Sequence, residues 1–141
     1  TSTNSRLSES LSRAESFKND SSLKPIIITM PLINLRTSLA SVDRRDELLL
    51  ELSAKLAEQT GKPEDYVMTL LETDVPMTFA GTSAPAAFVE VKSIGALHPS
   101  AMTEAFCELI TARTGIPADR IYISFDDVPA SFFGWNGRTF G

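Results

Sequence analysis

A proline directly after a methionine, Met30-Pro31, heads the run MPLINLRTS, and the pair reads as a translation start that leaves proline as first residue. A proline at a chain's amino terminus is a free secondary amine, able to act as base or nucleophile. The same residue inside a chain is a tertiary amide with no N–H and no useful basicity. The chemistry on offer therefore turns on whether residues 1–30 precede Pro31 in the working protein. Methionine before a residue as small as proline is expected to be removed, so a chain begun at Met30 would expose the amine.

The other reactive side chains are sparse. The lone His98, beside Pro99, reads as an exposed loop residue, and no spacing signals a Ser-His-Asp pairing. The lone Cys107 cannot form an internal disulfide and lies on an apolar helix face, where buried packing explains it. Together they leave too few soft ligands for a structural zinc site. Asp126-Asp127 reads as a solvated strand end. No metal or cofactor is implied.

The chain has 141 residues, 43% hydrophobic and 22% charged, with a net charge of −5, which fits one soluble globular domain. It has no block of like charges, so neither nucleic acid nor an anionic membrane is favoured as a partner. A small anionic substrate would need a local positive site. No apolar run reaches the roughly 18 residues of a membrane span, and no secretory leader is evident; the default address is cytoplasmic.

Residues 1–22 are rich in serine, with only Leu7, Leu11 and Phe17 as large apolar residues. That is the composition of a disordered tail, and Glu9, Glu15 and Asp20 count against a transit peptide. Residues 1–30 are therefore expected to be a disordered or non-native extension, and residues 31–141 the domain. Residues 25–29 have strand composition and could extend a first strand.

Beyond Met30 the chain repeats itself. The segment TGKPEDYV at residues 60–67 corresponds to TGIPADRI at 114–121, and each is followed by Asp-Val-Pro, at 74–76 and 127–129. Each copy carries a helix before the shared motif. In the second, Met102, Ala105, Phe106, Leu109 and Ile110 form an apolar stripe, with Ser100 as N-cap. The first runs from an Asp43 N-cap through Leu48, Leu49, Leu52 and Leu56. Gly61 and Gly115 are placed as left-handed C-caps, each with a proline two residues later.

Strands are predicted at 32–37, 67–72, 88–94 and 121–126, the last alternating Ile121, Ile123, Phe125 against Tyr122, Ser124, Asp126. Two βαβ units side by side give an α+β, two-layer fold: a four-stranded mixed sheet with both helices on one face. The other face carries apolar as well as polar residues, and burying it against further copies of the chain predicts a homo-oligomer. The closing FFGWNG adds three aromatics to a turn-forming Asn136-Gly137, a hairpin-like end lining an interface or a pocket.

From Pro31 to the last residue the chain resembles the macrophage migration inhibitory factor family of the tautomerase superfamily, particularly its plant and cyanobacterial members. The motifs that carry the resemblance are MPLIN, TGKPEDYVM, VPMTFAGT, VKSIGAL, IPADRIYI and FFGWNGRTF, in order along the chain. The resemblance implies a homotrimer with sites at subunit interfaces, and keto–enol tautomerisation of 2-oxo acids such as phenylpyruvate and of dopachrome-like compounds. It also allows secretion without a signal peptide. The family's catalytic proline falls on Pro31, its carboxylate-binding lysine on Lys62, its backbone donor on Ile94, and its tyrosine from the neighbouring subunit on Tyr122. The hydrophobic pocket would come from Tyr66, Phe133, Trp135 and Phe140.

Several positions depart from the animal members. Ser124 stands where an asparagine is common near the site, which bears on substrate preference or rate. Ala86 and Val89 stand in place of the Cys-x-x-Cys linked to thiol redox activity. Lys92 replaces a usual histidine, the loop after Gly95 is shorter, and receptor signalling does not follow from these residues.

The chemistry agrees with the implied roles. Moving a proton between carbon and oxygen of a 2-oxo acid needs a group that is a free base near neutral pH and an acid once loaded. An α-amine suits this when an apolar pocket and a nearby cation such as Lys62 favour its neutral form. Lys62 can also neutralise the substrate carboxylate, while Tyr122 and the Ile94 amide can donate hydrogen bonds as charge develops on oxygen. Singly, each residue has a structural explanation: Lys62 as a solvated residue near a helix end, Tyr122 as a strand residue, Trp135 as packing. The competing expectation is a non-catalytic binding or signalling trimer whose Pro31 is blocked by the extension.

Overall fold

The computed structural model describes residues 30–141; what was expected of residues 1–29, including a strand at 25–29, lies outside the described residues. Four strands and two long helices alternate as β1 (Leu32–Thr37), α1 (Arg45–Thr60), β2 (Met68–Glu72), β3 (Ala87–Ser93), α2 (Pro99–Thr114) and β4 (Ile121–Asp127). A short hairpin, β5 (Gly134–Trp135) and β6 (Arg138–Thr139), closes the chain.

The sheet order is β2-β1-β3-β4. Each crossover pair is parallel, and β1 and β3 meet antiparallel at the centre, Leu32 opposite Lys92 and Asn34 opposite Glu90. The sequence repeat thus becomes an approximate two-fold axis through the sheet. Its two Asp-Val-Pro turns are held alike: the Val75 amide donates to the Thr37 carbonyl at the end of β1, and the Val128 amide to the Ser93 carbonyl at the end of β3.

Alternation decides the layers. Ile33, Leu35, Val89 and Val91 point to one face and are fully buried against Leu48, Leu52 and Leu56 of α1 and Met102, Phe106 and Ile110 of α2. Each such side chain contributes about 1.5–3 kcal/mol when withdrawn from water. The opposite face carries Asn34, Arg36, Glu72 and Glu90, joined by the Arg36 guanidinium at 2.8 Å to Glu72 and 2.7 Å to Glu90. Among the described residues no helix lies on it, and Met68, Leu70 and Tyr122 are exposed there.

The glycine C-caps are as expected, with φ +71° at Gly61 and +79° at Gly115. The N-caps are not. The first helix starts after Arg44, held left-handed at φ 51°, rather than at Asp43. The second starts after His98, and Pro99 takes its first turn in place of a Ser100 cap, because proline needs no amide partner there and brings the required φ. Four strand limits shift by one residue: β2 begins at Met68, both ends of β3 move to give Ala87–Ser93, and β4 runs on to Asp127. Asp127 is more than a solvated strand end, since its Oδ1 accepts from the Gly95 amide at 2.9 Å. Cys107 is partly buried against the core, which pushes its thiol pKa up. His98 is exposed.

Candidate active site

The two parallel crossovers bring the start of β1 next to the segment leading into β2. The Met68 amide donates to the Pro31 carbonyl at 3.1 Å, which fixes Pro31 at the head of the sheet beside Val67. Continuing the antiparallel register from the Leu32–Lys92 pair sets Pro31 opposite Ser93 and Met30 opposite Ile94. Pro31 is buried.

Around it lies a cavity of about 200 Å³ whose walls include Met30, Pro31, Asp65, Tyr66, Phe133 and Trp135. Tyr66 arrives on a single 3-10 turn, Glu64–Tyr66, that follows the Gly61 cap and Pro63. Phe133 and Trp135 arrive on the closing hairpin, whose turn holds Asn136 at φ 53° and Gly137 at φ 81°, the paired left-handed residues of a tight two-residue loop. The rings support one another. Tyr66 meets Trp135 edge-on at 6.3 Å between centroids, and Phe140 lies nearly parallel to Trp135, 9° between planes at 6.3 Å. Phe140 also meets Phe133 at 64°, so it braces the wall from behind and does not line the cavity itself.

Pro31, Tyr66, Phe133 and Trp135 therefore come together within one chain. Lys62, half-buried beyond the Gly61 cap, is not one of the cavity's lining residues, but it stands three residues before Asp65, which is, and it makes no ion pair with another described residue. Ile94 is buried immediately after β3.

Tyr122 and Ser124 are elsewhere. Tyr122 lies on the open face opposite Phe88, itself opposite Arg36, which is roughly 17 Å along the strands and about 10 Å across them from Pro31. Its ring meets Phe79 edge-on at 4.9 Å. Ser124 pairs with Glu90 on the same face. One copy of the chain does not bring either residue to the cavity.

Met30 and Asp65 also stand in the walls, a placement that no motif predicts. Adjacency to Pro31 and Tyr66 was the available signal. Among the described residues no group of three His, Cys, Asp or Glu side chains is arranged to hold a metal ion, and no helix is long and apolar enough to cross a membrane.

Comparison with known proteins decides the family. Residues 30–141 match the profile described as macrophage migration inhibitory factor. The chain belongs to the macrophage migration inhibitory factor family. It is 57% identical to a homologue of that factor from Prochlorococcus marinus, whose crystal structure superposes with a TM-score of 0.75 over 78% of this chain and 99% of that one. The factor from Trichinella spiralis is 32% identical, with a TM-score of 0.73 over 77% of this chain and 99% of that one. Among curated relatives, the Xenopus laevis macrophage migration inhibitory factor is 35% identical over 79% of this chain and 99% of its own length. The mixed sheet with two helices on one face is thus the family's fold, and the resemblance to cyanobacterial members carried by the motifs is matched in a solved structure.

Proposed function

We propose that this member of the family is a keto–enol tautomerase acting on phenylpyruvate-like 2-oxo acids, and on dopachrome-like compounds, once residues 1–30 are absent and Pro31 is the amino terminus. The observation that carries the proposal is the burial of Pro31 at the head of β1 in the wall of an aromatic cavity. An amine placed there is held away from water, which favours its neutral, basic form.

The substrate's ring would lie among Tyr66, Phe133 and Trp135, and Lys62 would meet its carboxylate. The Pro31 nitrogen then removes a proton from C3 of the keto acid as negative charge grows on the carbonyl oxygen. The Ile94 amide, and Tyr122 from a neighbouring copy, are the donors proposed for that oxygen. The loaded ammonium then gives that proton to the enolate oxygen to form the enol, and in the reverse direction Pro31 takes the enol O–H proton and returns it to C3, so each direction balances without cofactor or metal.

Because Tyr122 is remote within one chain, this assignment requires self-association, and the homotrimer is the assembly proposed, with the open sheet face turned inward. With residue 30 still attached, Pro31 is an amide and the same assembly is a binding protein without a base. The test is the enol–keto conversion of phenylpyruvate by a chain that begins at Pro31, its start verified by intact mass. A general base contributes roughly 100- to 10,000-fold, so the full chain, in which residue 30 turns the Pro31 nitrogen into an amide, should have a kcat at least about 100-fold lower. Equal rates for the two would end the proposal.

A further inference from the structure

Met30 is an unusual residue to find in the wall of this cavity. Its side chain is only 7% exposed, yet it stands outside the cluster between sheet and helices. It lines the cavity together with Tyr66, Phe133 and Trp135. Methionine is suited to such a place, since its flexible, polarisable thioether adapts to irregular gaps and packs well on aromatic rings. The space left is about 200 Å³, short of the roughly 300–1,000 Å³ of ordinary small-molecule pockets.

We infer that Met30 is a built-in occupant of the pocket: while residue 30 stays joined to Pro31, its side chain takes the space that the ring of an aromatic 2-oxo acid needs. The uncut chain is then closed in two separable ways. Its Pro31 nitrogen is an amide, and its ring-binding space is filled. This deepens the tautomerase proposal and rests on it for the kind of ligand the pocket takes. It also separates ligand binding from the amine, because shortening residue 30 opens the pocket without creating a base.

Trp135 is the only tryptophan in the chain and lines the cavity, so its fluorescence reports occupancy. The probe is 3-phenylpropanoate, which has the ring and carboxylate of phenylpyruvate but no ketone to enolise. It is titrated into the full chain, into Met30→Ala and Met30→Leu full chains, and into a chain beginning at Pro31. Displacing one buried methionine side chain sets the expected gain: Met30→Ala and the chain beginning at Pro31 bind about 10- to 100-fold more tightly than the full chain. Met30→Leu, which refills the space, stays near the unaltered chain. If Met30→Ala loses its native thermal transition, Met30→Thr takes its place.

Equal affinity of the full chain and the opened variants overturns the inference, as does failure of every chain to bind. Turnover is read separately. A chain beginning at Pro31 that leaves phenylpyruvate unconverted, while Met30→Ala binds the probe more tightly, sinks the tautomerase proposal and keeps the occupant. Active protein beginning at Pro31, with no gain in Met30→Ala, does the reverse.

Discussion

Trp135 offers the sharpest test of how the aromatic wall works. In a chain beginning at Pro31, Trp135→Ala removes a ring that faces the cavity, meets Tyr66 edge-on at 6.3 Å and lies parallel to Phe140 at 6.3 Å. Each aromatic pair is worth about 0.5–1.5 kcal/mol beyond the area it buries. Losing two pairs costs the fold about 1–3 kcal/mol, and the partial exposure of Trp135 keeps the total below the roughly 3–5 kcal/mol of a fully buried Trp→Ala change. A bound phenyl ring loses one comparable contact, about 1 kcal/mol, or roughly fivefold in affinity. Pro31 is untouched, so the loss should appear in KM with kcat held within about threefold, as expected when a contact is equal in ground and transition states.

Steady-state tautomerisation of phenylpyruvate reads this directly, and a 2-oxo acid with a short aliphatic chain serves as internal control. Its kcat/KM should change less than about twofold, having no ring to lose. Trp135→Phe should recover most of the phenylpyruvate affinity. An equal loss for both substrates, or a fall confined to kcat, would show that Trp135 shapes the site in another way.

Three further outcomes test the frame that holds the site. On the open sheet face the Asn34 amide, and then the Arg36 guanidinium, hold the Glu72 carboxyl below its ordinary value of 4.5. A depressed carboxylate stabilises the fold above its unfolded pKa and ceases to do so as pH falls through the folded one; denaturation midpoints of the parent and Glu72→Gln should therefore differ at neutral pH, draw together as pH falls below 4.5 and meet only below the depressed folded-state value. At the C-caps, Gly61→Ala and Gly115→Ala meet no atom within 4 Å of the added carbon, so only the left-handed backbone is strained. Each should cost about 1 kcal/mol in urea unfolding, and costs that differ by more than about 1 kcal/mol would point to a contact one cap makes and the other lacks. Arg120 donates to the carbonyls of Phe79, Ala84 and Pro85 at 2.8–3.2 Å and lies over the Phe79 ring. Arg120→Lys keeps the charge but loses the fork, and a drop of about 1–2 kcal/mol should appear as a lower Tm.

The helices, the glycine caps, the alternation of β4 and the closing Asn136-Gly137 turn were legible because each rests on local chemistry: periodicity, left-handed backbone, paired turn residues. The helix starts were not, because several residues near each start can serve. Pro99 displaced Ser100 by needing no partner, and Arg44 took the left-handed position that set aside Asp43. The 3-10 turns at Glu64–Tyr66 and Ala118–Arg120 are copies of one motif, yet three-residue helices have no periodicity to read.

The site divides the same way. Tyr66, Phe133 and Trp135 meet Pro31 through contacts inside the chain, whereas Tyr122 and Ser124 lie on a face that no helix covers among the described residues. Met30 carries no such signal, because a methionine ahead of a chain start predicts its own removal and no role for its side chain.

The approximate two-fold axis has a further consequence. The rotation that carries Thr37 onto Ser93 carries Pro31 onto Ala87, the first residue of β3, so each chain has two architecturally matching corners. At the second, Arg120 stands where Tyr66 stands at the first, and the segment before β3 leads into the corner. A polypeptide has a single amino terminus, however, and Ala87 is always mid-chain. Duplication of the unit could double the scaffold but never the amine, so under the proposed chemistry the count of working sites follows the count of chain ends, leaving the second corner free to diverge.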